Sequence, residues 1–463
     1  MRLQKPVLAL LTSAALLVPV TAAAGAQDGT APVVPLPSAG GLAELGGPST
    51  CAQAPDAFAG EAAAAPGCQT LAPLVGARTV LASSDGRFLY VAGGTDAFTI
   101  FGHGSGYGGL LVLARDAATG ALTRVQCLSS DLSDGAGGGG CDPLTAAVDI
   151  TGLALNPDGT AMALVASGSG ALTLLRRDPE SGRLTEVGCA QESVPYGGRC
   201  RSAPSLEGVG SVAFSPDGRD VYAASSFRSA ITQLRAQEDG TLARYCVAAD
   251  GASGSCDRAP QLVAPAGLHF SADGRFAYAA TDLGVTWLVR DTATGRLAPG
   301  GCVTLSTGAA CGSGRAGGAG GYVSTSSSRG PAFTPDGGTA LVPADSSAVA
   351  QVSVLRREAA DGSLRLVGCL TQTPYEEPDE PLDEGADPGQ DGQDEAGVRV
   401  ARPRQGPACA QAPVLPVGGA PVALTDGRFL ITGYGTAAVV SVGADGTPAA
   451  DGCFAPDDNR CAA

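Results

Sequence analysis

Thiols, imidazoles, ammonium groups and carboxylates are the side chains that most often carry chemistry, and this chain of 463 residues supplies them unevenly: 14 cysteines, two histidines and 45 acids. Lys5 is the only lysine, which removes Schiff-base and lysine-nucleophile catalysis. No G-x-S-x-G elbow occurs, so the usual serine hydrolase arrangement has no support. No two cysteines are spaced as C-x-x-C, and two histidines make a poor zinc set. The cysteines instead come as close neighbours, with none left over, the pattern of a disulfide framework formed in an oxidising compartment. Nearest-neighbour bridging is the simplest connectivity: Cys51 with Cys68, Cys127 with Cys141, Cys189 with Cys200, Cys246 with Cys256, Cys302 with Cys311, Cys369 with Cys409 and Cys453 with Cys461.

The groups left for catalysis or ligand binding are few. His269 occupies the slot filled by Ala154 and Ala213 in neighbouring repeats, on a first strand that would line an axial channel. An imidazole there could act as a general base near neutral pH; packing between repeats is the competing role. Asp149 and Glu207 stand at comparable positions where first strands begin, and with Arg78 and His269 they form the candidate catalytic set at the channel mouth. The two carboxylates could also contribute to an axial calcium site, although a hard cation takes about six to eight oxygens. No other cofactor is expected. His103 lies in the insertion Phe101 to Gly109, either a Gly-rich lid or a plain long hairpin. Gly104 to Gly109 matches G-x-G-x-x-G, but a strand follows where a phosphate cradle needs a helix.

What positions these residues is a repeat. The cysteines Cys68, Cys141, Cys200, Cys256 and Cys409 each precede an aspartate by 17 positions: Asp85, Asp158, Asp217, Asp273 and Asp426. Cys311 precedes Asp336 by 25, the excess being Gly and Ser between Ser313 and Ser328. A spacing kept while the intervening sequence drifts marks a repeated unit. In the third unit Ser211 to Ser215 reads as a strand entering a Pro-Asp-Gly turn, followed by strands around Val221 to Ser225, Ile231 to Arg235 and Leu242 to Cys246. A second turn signal recurs at Thr119-Gly120, Ser181-Gly182, Asp239-Gly240, Thr294-Gly295, Asp361-Gly362 and Asp445-Gly446, pairs that favour tight hairpins. Helical periodicity is absent. Four-stranded antiparallel sheets recurring every 56 to 90 residues predict an all-β, six-bladed β-propeller with disulfide loops between blades. About 60 residues is too few for a sandwich domain.

The predicted organisation is a signal peptide over 1–26, a linker or ring-closing strand over 27–50, and the propeller over 51–461. Arg2 and Lys5, the apolar run Val7 to Val20 and Ala24-Gly25-Ala26 are the parts of an export signal. Cleavage there leaves a net charge of −18, of which −10 falls in an insertion over 376–395 that reads as disordered because its apolar content cannot repay ordering. Such a charge argues against nucleic-acid binding. No stretch of the mature chain is long and apolar enough to span a bilayer.

The block Ser-Pro-Asp-Gly-Arg-x-x-Tyr-x-Ala-Ser at Ser215 to Ser225, echoed in the other units, resembles the YVTN-type repeat of surface-layer-like and 6-phosphogluconolactonase-like bacterial propellers. The Gly-Cys ending of the fourth strand is similar to that of secreted relatives called lactonase-like. The resemblance implies a blade architecture; its matched residues are turn and core positions and carry no catalytic motif. Relatives of the lactonase type generally have about seven blades, against the count of six here. The sequence therefore predicts a secreted or cell-surface monomer that binds an extracellular ligand, envelope component or protein as a scaffold. The alternative is hydrolysis of a sugar lactone at the channel mouth, and a third reading is assembly on cell wall or surface layer.

Overall fold

A computed structural model describes residues 52–53, 69–70, 77–95, 107–130, 140–192, 199–236, 242–250, 256–305, 330–346, 349–372, 409–412, 415, 421–433 and 436–454. Segments 1–26, 27–50 and 376–395, His103, and the predicted bridge of Cys51 to Cys68 lie outside the described residues. All described elements are strands: a two-stranded ribbon of Ala52–Gln53 and Gln69–Thr70, and six successive larger sheets over 77–143, 150–202, 209–258, 266–303, 332–412 and 422–454, here sheets 1 to 6. No helix among the described residues is long and apolar enough to cross a membrane.

Sheet 3 shows how the repeat folds. Val209–Phe214, Asp220–Ser225, Ala230–Ala236 and Leu242–Ala248 pair antiparallel in chain order. The first turn is locked by Ser215, whose Oγ donates to Asp217 Oδ1 at 2.5 Å, while Arg219 N donates to the same oxygen and Gly218 takes φ +69°. The second turn is wider than a tight hairpin: in sheet 4 Gly295 N donates to Asp291 O, and Asp291 Oδ1 accepts from Ala293 N and Thr294 N.

Every residue of Asp220–Ser225 is buried. Because alternate side chains point to opposite faces of a sheet, Val221 and Ala223 pack towards sheet 2 while Tyr222 and Ala224 pack towards sheet 4. The same two-sided burial fills the interfaces from sheet 1 through sheet 6. A repeated clamp crosses them: Tyr222 OH donates to Gly295 O at 2.6 Å and accepts from Arg290 Nε at 2.8 Å, with Tyr90, Gly182 and Arg177, and Tyr278, Gly362 and Arg357, in the same roles.

The prediction of four strands per sheet is corrected in sheets 1, 2, 3 and 5, which each carry a fifth. It is a two- or three-residue parallel strand just after the second cysteine of a pair, such as Arg201–Ser202 beside Ala190 and Gln191. The bridge imposes it: with the Cα atoms of Cys189 and Cys200 only 4.7 Å apart, the chain after Cys200 runs beside the chain after Cys189. Cys127–Cys141, Cys246–Cys256 and Cys369–Cys409 are bonded as predicted, and Cys302 is disulfide-bonded with its predicted partner outside the described residues. Ala52–Gln53 and Gln69–Thr70, which follow Cys51 and Cys68, pair parallel in the same manner.

Candidate functional site

First strands begin, and second strands end, on one face of the array, and there the sequence candidates separate. Arg78 lies in Ala77–Ala82 and reaches across to Asp149, at the entrance to Ile150–Leu155. Its Nη1 stands 3.1 Å from Asp149 Oδ1 and donates to Oδ2 at 3.4 Å. Ser167, just past Ala161–Ala166, donates its Oγ to Oδ2 at 2.5 Å. Asp149 is only 4% exposed, and its Oδ1 accepts no hydrogen bond among the described residues. Its backbone has φ +56°, the left-handed region.

Strand-end hydrogen bonds fix the correspondence between units. Ser167 N donates to Asp149 O, and Ser226 N donates to Gly208 O. Asp149 therefore matches Gly208, and Glu207 matches Val148. The expectation that Asp149 and Glu207 occupy comparable positions is off by one residue; both precede a first strand, but only hydrogen bonding reveals the register. Position 208 is glycine in a left-handed conformation, φ +68°. Its neighbour unit spends the same strained backbone on a carboxylate.

Asp149 and Glu207 nonetheless flank one short turn, 167–170. Ser167 holds Asp149, Ser169 Oγ accepts from Val148 N at 2.9 Å, and Gly170 O accepts from Glu192 N at 3.1 Å. A Cβ on Gly170 would lie 3.6 Å from Glu207 Cα. Beyond the turn Arg228 bridges two acids, with Nη2 2.7 Å from Glu192 Oε1 and 2.5 Å from Glu207 Oε2. Glu192 Oε2 also accepts from Leu206 N at 2.8 Å and Glu207 N at 2.6 Å. Hydrogen bonding to Glu192, and the charges of both acids, hold the Arg228 guanidinium above its usual range. Ser167, Glu192 and Arg228 were not among the sequence candidates. Their only signal is a polar residue at the bend between second and third strands or just after a fourth.

His269 stands apart from this cluster. Its ring stacks on Phe333 of sheet 5 with centroids 4.5 Å apart, and no hydrogen bond joins it to Arg78, Asp149 or Glu207. Burial, aided by the Arg357 charge, pushes its imidazole down to about 4. The expectation of a base poised near neutral pH is corrected: against an aromatic wall and near a cation, the ring is a poor proton acceptor. Asp282 marks the same face in sheet 4, since its N donates to Val263 O; burial raises its carboxyl, and Oδ1 has no hydrogen bond among the described residues. For calcium, Asp149 and Glu207 are engaged by Arg78 and Arg228, and no group of three or more metal-ligating side chains occurs among the described residues. The G-x-G-x-x-G stretch runs into the strand Tyr107–Arg115, as expected for a motif without a phosphate role.

No protein-family model matches the chain, and no curated protein matches it. Among solved structures, the periplasmic gluconolactonase of Pseudomonas aeruginosa is similar at 18% identity over 80% of this chain and 83% of that one, with a TM-score of 0.49. A 6-phosphogluconolactonase candidate from Bacteroides uniformis ATCC 8492 is similar at 18% identity over 80% and 82%, TM-score 0.48. A β-propeller domain, Cps50 (Swd1) of Myceliophteria thermophila, is similar at 17% identity over 63% and 70%, TM-score 0.37. No side-chain role is carried over from them.

Proposed function

We propose that the six sheets close into a propeller of an exported protein, and that the face where Arg78, Asp149 and Glu207 gather hydrolyses a sugar lactone. The observation that carries the hydrolytic reading is Asp149: buried, in a backbone conformation where the next sheet has glycine, with one carboxylate oxygen lacking a hydrogen bond. Strain spent on presenting a polar group is the mark of a working site. In the proposed reaction Asp149 takes a proton from water as the water oxygen bonds to the lactone carbonyl carbon. Arg78 holds the carbonyl oxygen while negative charge develops there. The ring C–O bond then breaks, and the proton passes to the departing ring oxygen, leaving a hydroxy acid. The reaction asks for no cofactor.

Closure is supported by Val91, Leu111 and Leu113, which cluster with Cys127 and Cys141 on the face of sheet 1 turned away from sheet 2 and are buried there, so that this outer face is covered too. Export is supported by the disulfides, which persist in oxidising compartments. A second reading, an extracellular binding or scaffold module without turnover, is favoured by the guanidinium groups already paired with Asp149 and Glu207. Screening the purified protein against γ- and δ-lactones, beside Asp149→Ala, separates the two. Turnover lost in the variant supports hydrolysis, and no turnover by the unmodified protein supports binding alone.

A further inference from the structure

Next to the Glu207–Arg228 pair stands Phe227, 78% exposed, in the bend between Asp220–Ser225 and Ala230–Ala236. Its ring lies across Gly208, where an added Cβ would come within 2.4 Å of the ring's Cγ. The bend is tied down from below. Ser225 Oγ donates to Glu207 O, Ser226 Oγ donates to Gly208 O at 3.3 Å, and Arg228 N donates to Ser225 Oγ at 3.1 Å. The hydrophobic effect gives no reason to hold a phenyl ring in water on a fixed loop. Among the described residues the other large exposed apolar side chains, Val80, Val187 and Val289, lie on separate strands of sheets 1, 2 and 4, so these residues form no broad apolar patch with Phe227 of the size a protein partner needs.

We propose that Phe227 is a stacking platform for a saturated sugar ring, and that it sets the specificity of this face for cyclic polyols. A pyranose ring has an apolar face of C–H groups and a rim of hydroxyls. Phe227 offers an apolar plane to the first. Glu207 and Arg228 offer an acceptor and donors beside it to the second. The inference rests on the lactone reading for its link to catalysis, but the binding itself does not require turnover.

The test is titration of the full mature chain with methyl β-glucopyranoside, a ring that cannot be hydrolysed as a lactone, followed by calorimetry or saturation-transfer NMR. Phe227→Ala is expected to weaken binding about tenfold and Phe227→Tyr to keep it within about twofold, the range of a single aromatic contact. In the lactone assay Phe227→Ala is expected to raise KM with little change in kcat, the signature of lost ground-state binding. Equal binding by Phe227→Ala, or no binding by the unmodified protein, would overturn the platform. Phe227-dependent binding without lactone turnover would sink the hydrolase reading and leave the platform standing.

Discussion

Asp149 places a charged side chain where its counterpart, Gly208, has none, and both adopt positive φ. Glycine takes that conformation without steric cost, so Asp149→Gly is expected to leave stability within about 1 kcal/mol of the original, or to raise it, while removing the carboxylate. Chemical denaturation checks this, and a large loss would mean that the carboxylate is a structural brace. His269 gives a pH prediction. Its folded value of about 4 lies below the unfolded value of 6.5, so below 6.5 the unfolded chain binds more protons than the native one. The contribution is intact above pH 6.5 and is lost as pH falls towards 4. His269→Phe is expected to flatten the fall in stability across that window by up to about 3 kcal/mol, at 1.36 kcal/mol per unit. Identical pH profiles would show that the imbalance at position 269 contributes nothing.

At the scale of the strand and turn, Asp220 is fully buried and joins sheet 3 to sheet 4. It accepts from Arg235 Nη2 at 2.6 Å, Arg290 Nη2 at 2.6 Å and Gln233 Nε2 at 2.7 Å. Burial pushes its carboxyl up, but these hydrogen bonds outweigh it and hold the group below the usual carboxylate range. Removing one partner of a buried ionic network strands the others, so Asp220→Ala is expected to cost about 3–5 kcal/mol in urea denaturation. A cost under about 1 kcal/mol would contradict the network's role. The disulfides act at this scale too: Cys189→Ser with Cys200→Ser is expected to cost about 2–4 kcal/mol and to fray Arg201–Ser202 from its neighbour in hydrogen exchange. Asp-Gly turns and apolar runs such as Val221 to Ser225 were legible in the sequence because φ > 0 and two-sided burial each restrict residue type. The fifth strands were not: two residues such as Arg201–Ser202 carry no period, and a covalent bridge places them. Nor were Glu192 and Arg228 as partners of Glu207, because they meet across a sheet boundary, and the one-residue offset between Asp149 and Glu207 shows only in hydrogen bonding.

For the whole molecule, faces of successive sheets are covered in turn, and each sheet is tied to the next by packing, the tyrosine clamp or both. First strands of neighbouring sheets then lie side by side, as Thr151 shows by donating its Oγ1 to Val209 O at 3.0 Å. That is why residues from sheets 1, 2 and 3, far apart in sequence, meet on one face of the array. The most direct test of the account is kcat/KM for a sugar lactone measured on Asp149→Asn, a neutral variant of nearly the same shape. Loss of a general base predicts a fall of about a hundredfold to ten-thousandfold with the fold intact by circular dichroism. Turnover at the unmodified rate would contradict the assignment of this face as the site of the reaction.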